Sequence, residues 1–162
     1  MITTREIRHA LTKVIRTNAK LSYKVFFEHV SKSRESYVFV DLTPKKTTID
    51  KVYFQWNINV DISVVLVPDE YGLVSHDDLW DISDKLTAAI MPTVTIETED
   101  GDKSKTRYAT VQDFNSYIVD DILHYEFVLD FTDYVRSDEY EGLDYEFMRD
   151  LEIQFDDWKL ED

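Results

Sequence analysis

The sequence predicts an α+β fold in which an antiparallel (mixed) sheet packs against two helices, with a long β-hairpin and a C-terminal acidic extension. Two amphipathic helical segments, at residues 3–17 and 75–91, are separated by groups of strands with alternating apolar residues. This element order is typical of a sheet with helices on one face. We expect the α+β domain to span residues 1–135 and the acidic, aromatic-containing extension to span 136–162.

The first helix has one apolar face, since Ile7, Leu11 and Val14 recur at helical spacing. Thr3 and Glu6 have the spacing of a capping box, in which the threonine accepts from a first-turn amide and the glutamate reaches back. A helix is therefore predicted to begin near Thr3.

Three strands are predicted between the helices. The first two are expected at 22–30 and 36–43, and Pro44 should end the second or restrict it to a sheet edge. The longest alternation follows in KVYFQWNINVDISVVLVP, where apolar residues from Phe54 to Leu66 share one parity. A strand of this length must bend or project. We therefore expect a long hairpin that reaches beyond the domain.

The second helix should begin after Ser75, a good N-cap, and stop at Pro92. A hairpin is predicted next, in which TVTIET and TRYATVQ flank the polar EDGDKSK. The last strand of the domain, at 121–133, is the most regular. Its buried side chains are predicted to be Leu123, Tyr125, Phe127, Leu129 and Phe131.

The charge of the chain is strongly acidic and unevenly distributed. The net charge is −15, which argues against specific nucleic-acid binding because carboxylates repel phosphates. Residues 133–162 hold 12 acids and 3 bases, more than half of the excess. The chain has no cysteine, no apolar signal segment and no run of transmembrane length. We expect a soluble protein made in a cytoplasm, without a membrane partner.

The sequence contains no pattern that predicts a catalytic, metal-binding or cofactor-binding residue, so we expect no enzyme. None of the four histidines has a metal-ligand spacing, and GxSxG, Walker A and GxGxxG are absent. The aspartates of HDDLWDISD are a possible Mg²⁺ or acid–base set. Their position at a helix start favours a structural interpretation, because acids there complement the helix dipole.

A binding or assembly role remains. The polar positions of the strand at 52–67 and the hairpin tip at 99–107 are candidate contact elements. The basic residues of the tip, like those of a second basic island, are expected to meet the acidic extension of a neighbour. Lys45, Lys46 and Lys51 form this second basic island, and solvated turns are the alternative interpretation of both. The predicted interface residues are Lys103, Lys105, Arg107, Tyr134, Phe155 and Trp158.

Several stretches resemble tail terminator proteins from phages and prophages of Gram-positive bacteria. They are MITTREIRHALTKVIR, YVFVDLTP, VDISVV, LWDISDKLTAAIMP and, most similar, TVQDFNSYIVDDILHYEFVLDFTDY. A segment like DxxLHYxFxLDFTD closes the domain in such proteins. The resemblance covers about residues 1–135, and the chain departs from the family's compact ending at 136–162.

The resemblance implies a structural virion protein rather than an enzyme. Tail terminators form hexameric rings that cap the tail tube, stop its polymerisation and offer a surface to neck or head-completion proteins. The implied location is the tail–neck junction of the virion, after assembly in the host cytoplasm. Genome DNA would pass through the ring, and a negatively charged channel would keep it from adhering.

Three other functions remain open from the sequence. Another head–tail joining (neck) protein would share the small α+β ring-forming character. An acidic DNA mimic that inhibits a nuclease or repressor would fit the net charge, but the basic islands weigh against it. A small hydrolase or metal enzyme using the aspartates is the least favoured.

Overall fold

The computed structural model describes residues 2–28, 34–51, 53–100 and 103–134. Helices and strands alternate in groups along these ranges, which confirms the predicted α+β class. The elements are α1 (Thr4–Lys13), a π-helical segment (Val14–Asn18), β1 (Lys24–Phe26), β2 (Tyr37–Thr48), β3 (Tyr53–Val65), α2 (His76–Ile90), β4 (Thr93–Asp100), β5 (Lys103–Val119) and β6 (Ile122–Tyr134).

The strands form one six-stranded sheet in the order β1-β2-β3-β6-β5-β4. The short β1 is parallel to β2, and the other neighbouring strands are antiparallel, so the sheet is mixed. β3 and β6 lie at the centre and pair from Tyr53↔Tyr134 to Val65↔Ile122. The two strands with the clearest alternation are therefore the two that the sheet places innermost.

The core lies between one face of the sheet and the two helices, as the alternation predicted. We name this the inner face of the sheet. Along β6, all five predicted side chains are buried, and the apolar positions of β3 face the same core. These core residues of the central strands are Phe54, Trp56, Ile58, Val60, Ile62, Val64, Leu123, Tyr125, Phe127, Leu129 and Phe131.

Two sets of hydrogen bonds fix the start of α1: a capping box within the helix and a contact with β6. The predicted capping box is present, with Glu6 N donating to Thr3 Oγ1 at 3.3 Å and Thr3 N donating to Glu6 Oε2 at 2.6 Å. Immediately before the helix, Ile2 N donates to Asp133 Oδ2 at 2.5 Å. Asp133 is only 2% exposed, so a buried carboxylate at the end of β6 anchors the entry into α1.

The position of α2 is fixed at the other end of β6. Ser75 is the N-cap, accepting from Asp78 N at 3.2 Å. His76 Nε2 lies 2.8 Å from Asp121 Oδ1 in the turn before β6, and the buried Tyr125 donates its hydroxyl to Thr87 Oγ1 at 3.2 Å. Helix α2 thus lies over the beginning of β6, whereas α1 starts beside its end.

Of the two predicted roles of Pro44, ending β2 near Thr43 is wrong, whereas a place at a sheet edge is confirmed. The strand continues to Thr48, and Pro44 pairs with Ile58. β1 covers the other edge of β2 only along Tyr37–Phe39. Beyond that stretch no other strand of the described residues pairs with this edge, and a missing backbone N–H is tolerated there.

The β2–β3 hairpin is long, as predicted, but it does not reach out as a free arm. β3 pairs with β2 on one side and with β6 on the other along its length, from Tyr53 to Val65. The extra length is accommodated because β6 is equally long. The prediction of a hairpin projecting beyond the domain was wrong for this reason.

β5 is much longer than the predicted strand at 106–112, because a β-bulge interrupts its alternation. Pairing with β6 shifts between Gln112 and Asn115, and Asp113 has a positive φ of 50°. Two residues of β5 therefore oppose one of β6, which reverses the inward and outward positions beyond the bulge. Phe114 consequently packs on Tyr125, with ring centroids 5.0 Å apart.

Within the described ranges, neither helix is long and apolar enough to cross a membrane. The predicted loop or short helix followed by a strand near 150–158 lies outside the described residues, as does the predicted boundary at 136.

Candidate interaction surface

The face of the sheet opposite the core, here named the outer face, is polar along its central strands. Asp130 on β6 lies at its middle and accepts hydrogen bonds from both neighbouring strands. Gln55 Nε2 on β3 donates to it at 2.8 Å and 3.1 Å, and Gln112 Nε2 on β5 donates at 3.3 Å. These contacts hold three strands together on the solvent side.

Three carboxylates stand side by side on the outer face and are named the carboxylate row. Asp41 on β2 is paired directly with Asp61 on β3, and Asp61 is paired directly with Glu126 on β6. Direct cross-strand neighbours have side chains close enough to repel when their charges are alike. With Asp113 from the bulge, these residues line an open groove of about 270 Å³. The central outer face is thus strongly anionic.

His124 brings a serine and an aspartate together in a way that resembles a catalytic triad but lacks its geometry. Ser63 Oγ lies 3.3 Å and Asp61 Oδ2 lies 3.2 Å from the same ring nitrogen, Nδ1. A proton relay requires the acid on Nδ1 and the hydroxyl on Nε2. This arrangement therefore orients the imidazole without activating the serine.

Tyr117 completes the polar contacts beside His124. Its ring stacks on the imidazole with centroids 5.2 Å apart, and its hydroxyl donates to Glu126 Oε1 at 2.6 Å. The hydrogen bond to this carboxylate raises the pKa of Tyr117 to about 12. The phenol consequently remains neutral and donating over the physiological range.

Aromatic and basic side chains come together at one end of the sheet. Tyr53 on β3 pairs with Tyr134 on β6, and the guanidinium of Arg107 lies 5.3 Å from the centroid of the Tyr134 ring. Tyr108, 68% exposed, lines an adjacent groove with Thr132. Exposed tyrosines beside arginine are typical of protein–protein contacts, because they combine apolar area with few rotatable bonds. We name Tyr53, Arg107, Tyr108 and Tyr134 the aromatic end.

Of the residues predicted from the sequence to form an interface, Arg107 and Tyr134 are brought into contact at the aromatic end. Lys103 and Lys105 lie on β5, but their side chains fall outside the described part of the structure. Phe155 and Trp158 also lie outside it.

Tyr108 was not among the interface residues predicted from the sequence, although the sequence pattern of β5 could have identified it. It lies on the solvent-facing side of β5, among polar side chains. An exposed tyrosine in such a position indicates a surface that contacts another protein.

The second basic island contributes one packed lysine. Lys46 Nζ lies 4.0 Å from the centroid of Trp56 and 5.2 Å from that of Phe54. It covers the apolar side chains at the beginning of β3 in a cation–π contact. All three lysines of this island are exposed, and only Lys46 makes such a ring contact among the described residues.

The described residues include no group of three or more histidine, aspartate or glutamate side chains arranged to hold a metal ion. The fold and its outer face define a mixed-sheet α+β protein with extended polar and aromatic surfaces on the solvent side.

Comparison with known proteins gives the family. A family model described as phage tail terminator protein matches residues 6–141, and the chain belongs to this family. The family is structural, and it makes the protein a phage virion component that interacts with other tail and head proteins. A search of curated proteins finds no match.

Proposed function

We propose that the protein assembles on the head-proximal end of the tail tube as a ring of six copies, the number that the family resemblance implies. The ring stops polymerisation of the tube protein and offers its other surface to the neck or head-completion protein. The observation that carries this proposal is the family match over residues 6–141.

The surfaces of the protein support assembly into a ring. A ring requires one patch on each subunit to meet a different patch on the next. The sheet has a polar, exposed outer face and a second face covered by helices, so different sides of the molecule differ in chemistry. The aromatic end provides apolar area and an arginine, which are enriched at protein contacts.

The carboxylate row suits a surface that faces DNA without binding it. Asp41, Asp61 and Glu126 would repel phosphates, and a channel lined by them lets a genome pass without adhering. On this proposal the outer face of the sheet lines the channel. A map of the assembled ring with a basic or neutral channel wall would overturn this part.

The acidic extension, residues 136–162, is proposed to contact a neighbouring copy. Its aromatic residues Phe155 and Trp158 would add apolar area, and its carboxylates would meet Lys103, Lys105 and Arg107. Native mass spectrometry of a chain truncated after residue 135 tests this. An unchanged ring mass would remove the extension from the subunit contact.

The function itself is tested by polymerising purified tail tube protein with and without this protein. We expect tubes of limited length with a ring at one end in electron micrographs. Unlimited tubes with no ring would overturn the proposal. Binding to filled heads instead of tube ends would identify a neck protein, the second candidate.

A further inference from the structure

The two helices carry opposite charges on their solvent faces. Residues 2–24 contain six bases and one acid, although the whole chain has a net charge of −15. Residues 69–90 contain six acids and one base, Lys85. The first range includes α1 and the second includes α2, so the helical layer has a basic part and an acidic part.

On α1 and the π-helical segment, the exposed bases form a stripe that we name the basic face. Arg5, Arg8 and Arg16 are all exposed and are three and eleven residues apart, close to one and three helical turns. Arg8 is fixed 5.3 Å from the centroid of the Phe27 ring. Within the described ranges, neither Arg5 nor Arg16 has an ion-pair partner.

On α2, a stripe of residues at helical spacing is acidic, and we name it the acidic face. Asp77, Trp80, Asp81 and Asp84 are exposed at positions i, i+3, i+4 and i+7. Among the described side chains, none of these three aspartates pairs with a base. Trp80 is 45% exposed between them, and a tryptophan flanked by acids is suited to receive an arginine over its ring.

The two faces begin at opposite ends of β6. Ile2, just before α1, contacts Asp133, while His76, the first residue of α2, contacts Asp121. Twelve residues of extended chain separate these two aspartates, which corresponds to about 40 Å. The π-helical segment packs against α2, but among the described residues no ion pair joins Arg5 or Arg16 to an aspartate of α2. These charges therefore stay unpaired within one molecule, and a second copy can present the opposite face.

We propose that adjacent copies of this chain join by packing the basic face of one on the acidic face of the next. This inference rests on the self-assembly proposed above and names the surfaces that perform it. Each copy then uses both faces, as a heterologous interface requires. Individual exposed ion pairs contribute only about 0.2–1 kcal/mol, so the contact should weaken as salt is raised.

Charge reversal tests the proposal through oligomer mass in native mass spectrometry. One variant is Arg5→Glu with Arg16→Glu, which leaves Arg8 on Phe27, and the other is Asp81→Lys with Asp84→Lys. In either variant by itself, the two faces that would pack together carry charges of the same sign, so each variant should be monomeric. The matched control, Lys24→Glu with Arg34→Glu, changes two exposed bases outside both faces, has the same net charge as the first variant and should assemble like the wild type.

Mixing the two reversed variants should restore the oligomer. When copies of the two variants alternate, every acidic face of one meets a basic face of the other. Circular dichroism checks that each variant is folded. If both variants keep the wild-type mass, or if the mixture stays monomeric, the helix pairing is overturned while self-assembly stands. A wild-type chain that is monomeric at every concentration would overturn the self-assembly itself.

Discussion

The hydroxyl of Tyr117 on β5 lies 2.6 Å from the carboxylate of Glu126 on β6, and this contact raises the pKa of Tyr117 to about 12. The neutral phenol is the form that the carboxylate binds, so the contact favours the folded state wherever the phenol is protonated. Its stabilisation is full below pH 10, the ordinary value for tyrosine, and is lost as pH rises through about 12.

Replacing Glu126 by glutamine should lower the pKa of Tyr117 towards 10, because the charged acceptor is removed. The measurement is an NMR pH titration of the tyrosine Cζ signals, with Tyr117→Phe identifying the signal of Tyr117. The remaining tyrosine signals are the internal control. Identical Tyr117 titration curves for wild type and Glu126→Gln would contradict the assigned cause.

Replacing Asp41 by asparagine should stabilise the protein by about 0.2–1 kcal/mol, because it removes a like charge directly opposite Asp61. Asparagine keeps the side-chain oxygen that accepts from Leu42 N at 2.9 Å. Urea denaturation at low salt measures the gain. Glu70→Gln, an equal charge change in an exposed loop, is the control and should have little effect. A gain that persists unchanged in 1 M salt would exclude charge repulsion as its origin.

The central strands β3 and β6 were predictable from the sequence because apolar, core-facing residues alternate with polar, solvent-facing residues along each of them. The alternation from Leu123 to Phe131 identifies the core directly. The capping box at Thr3 and the N-cap at Ser75 could also be predicted from the sequence, because each depends only on residues within one helical turn.

Other features depend on contacts distant in sequence and were not predictable. The bulge at Asp113 breaks the alternation of β5, so its second half was missed. Pro44 remains within β2 only because β1 is short. Arg107 and Tyr134 were both selected as interface residues, but their mutual contact follows from how β5 and β6 lie together in the sheet.

Truncating Phe127 to alanine should destabilise the protein by about 3–5 kcal/mol, because it leaves a cavity beneath the helices. Tyr125→Phe, on the same strand and face, removes only the hydroxyl that contacts Thr87. It should cost about 0.5–1.5 kcal/mol, since a single hydrogen bond is lost and the ring still fills its space. Urea denaturation compares the two. Similar losses would show that β6 does not depend on close packing at Phe127.

The β5–β6 turn should become more stable when Asp120 is replaced by glycine. Asp120 and Asp121 have φ values of 51° and 61°, in the left-handed region that two-residue hairpin turns require. Glycine adopts this conformation without strain, so we expect a gain of about 0.5–1 kcal/mol. Asp120→Val is the opposite control, because a β-branched residue is disfavoured there. Thermal unfolding should rank glycine above aspartate and aspartate above valine, and any other order would contradict the assignment of strain.

Removing the Asp133 carboxylate should loosen α1 more than the sheet. In the folded protein Asp133 accepts from Ile2 N at 2.5 Å and from Tyr134 N at 2.9 Å, and it is almost fully buried. Asp133→Ala leaves the Ile2 amide without its acceptor, which should cost about 1–3 kcal/mol. Hydrogen exchange followed by mass spectrometry should show faster exchange in residues 2–13 than in β3. The matched control is Asp130→Ala, three residues earlier on the outer face, which removes the bonds from Gln55 and Gln112 but none to the α1 segment. Equal acceleration of residues 2–13 in both variants would show that Asp133 does not anchor the helix.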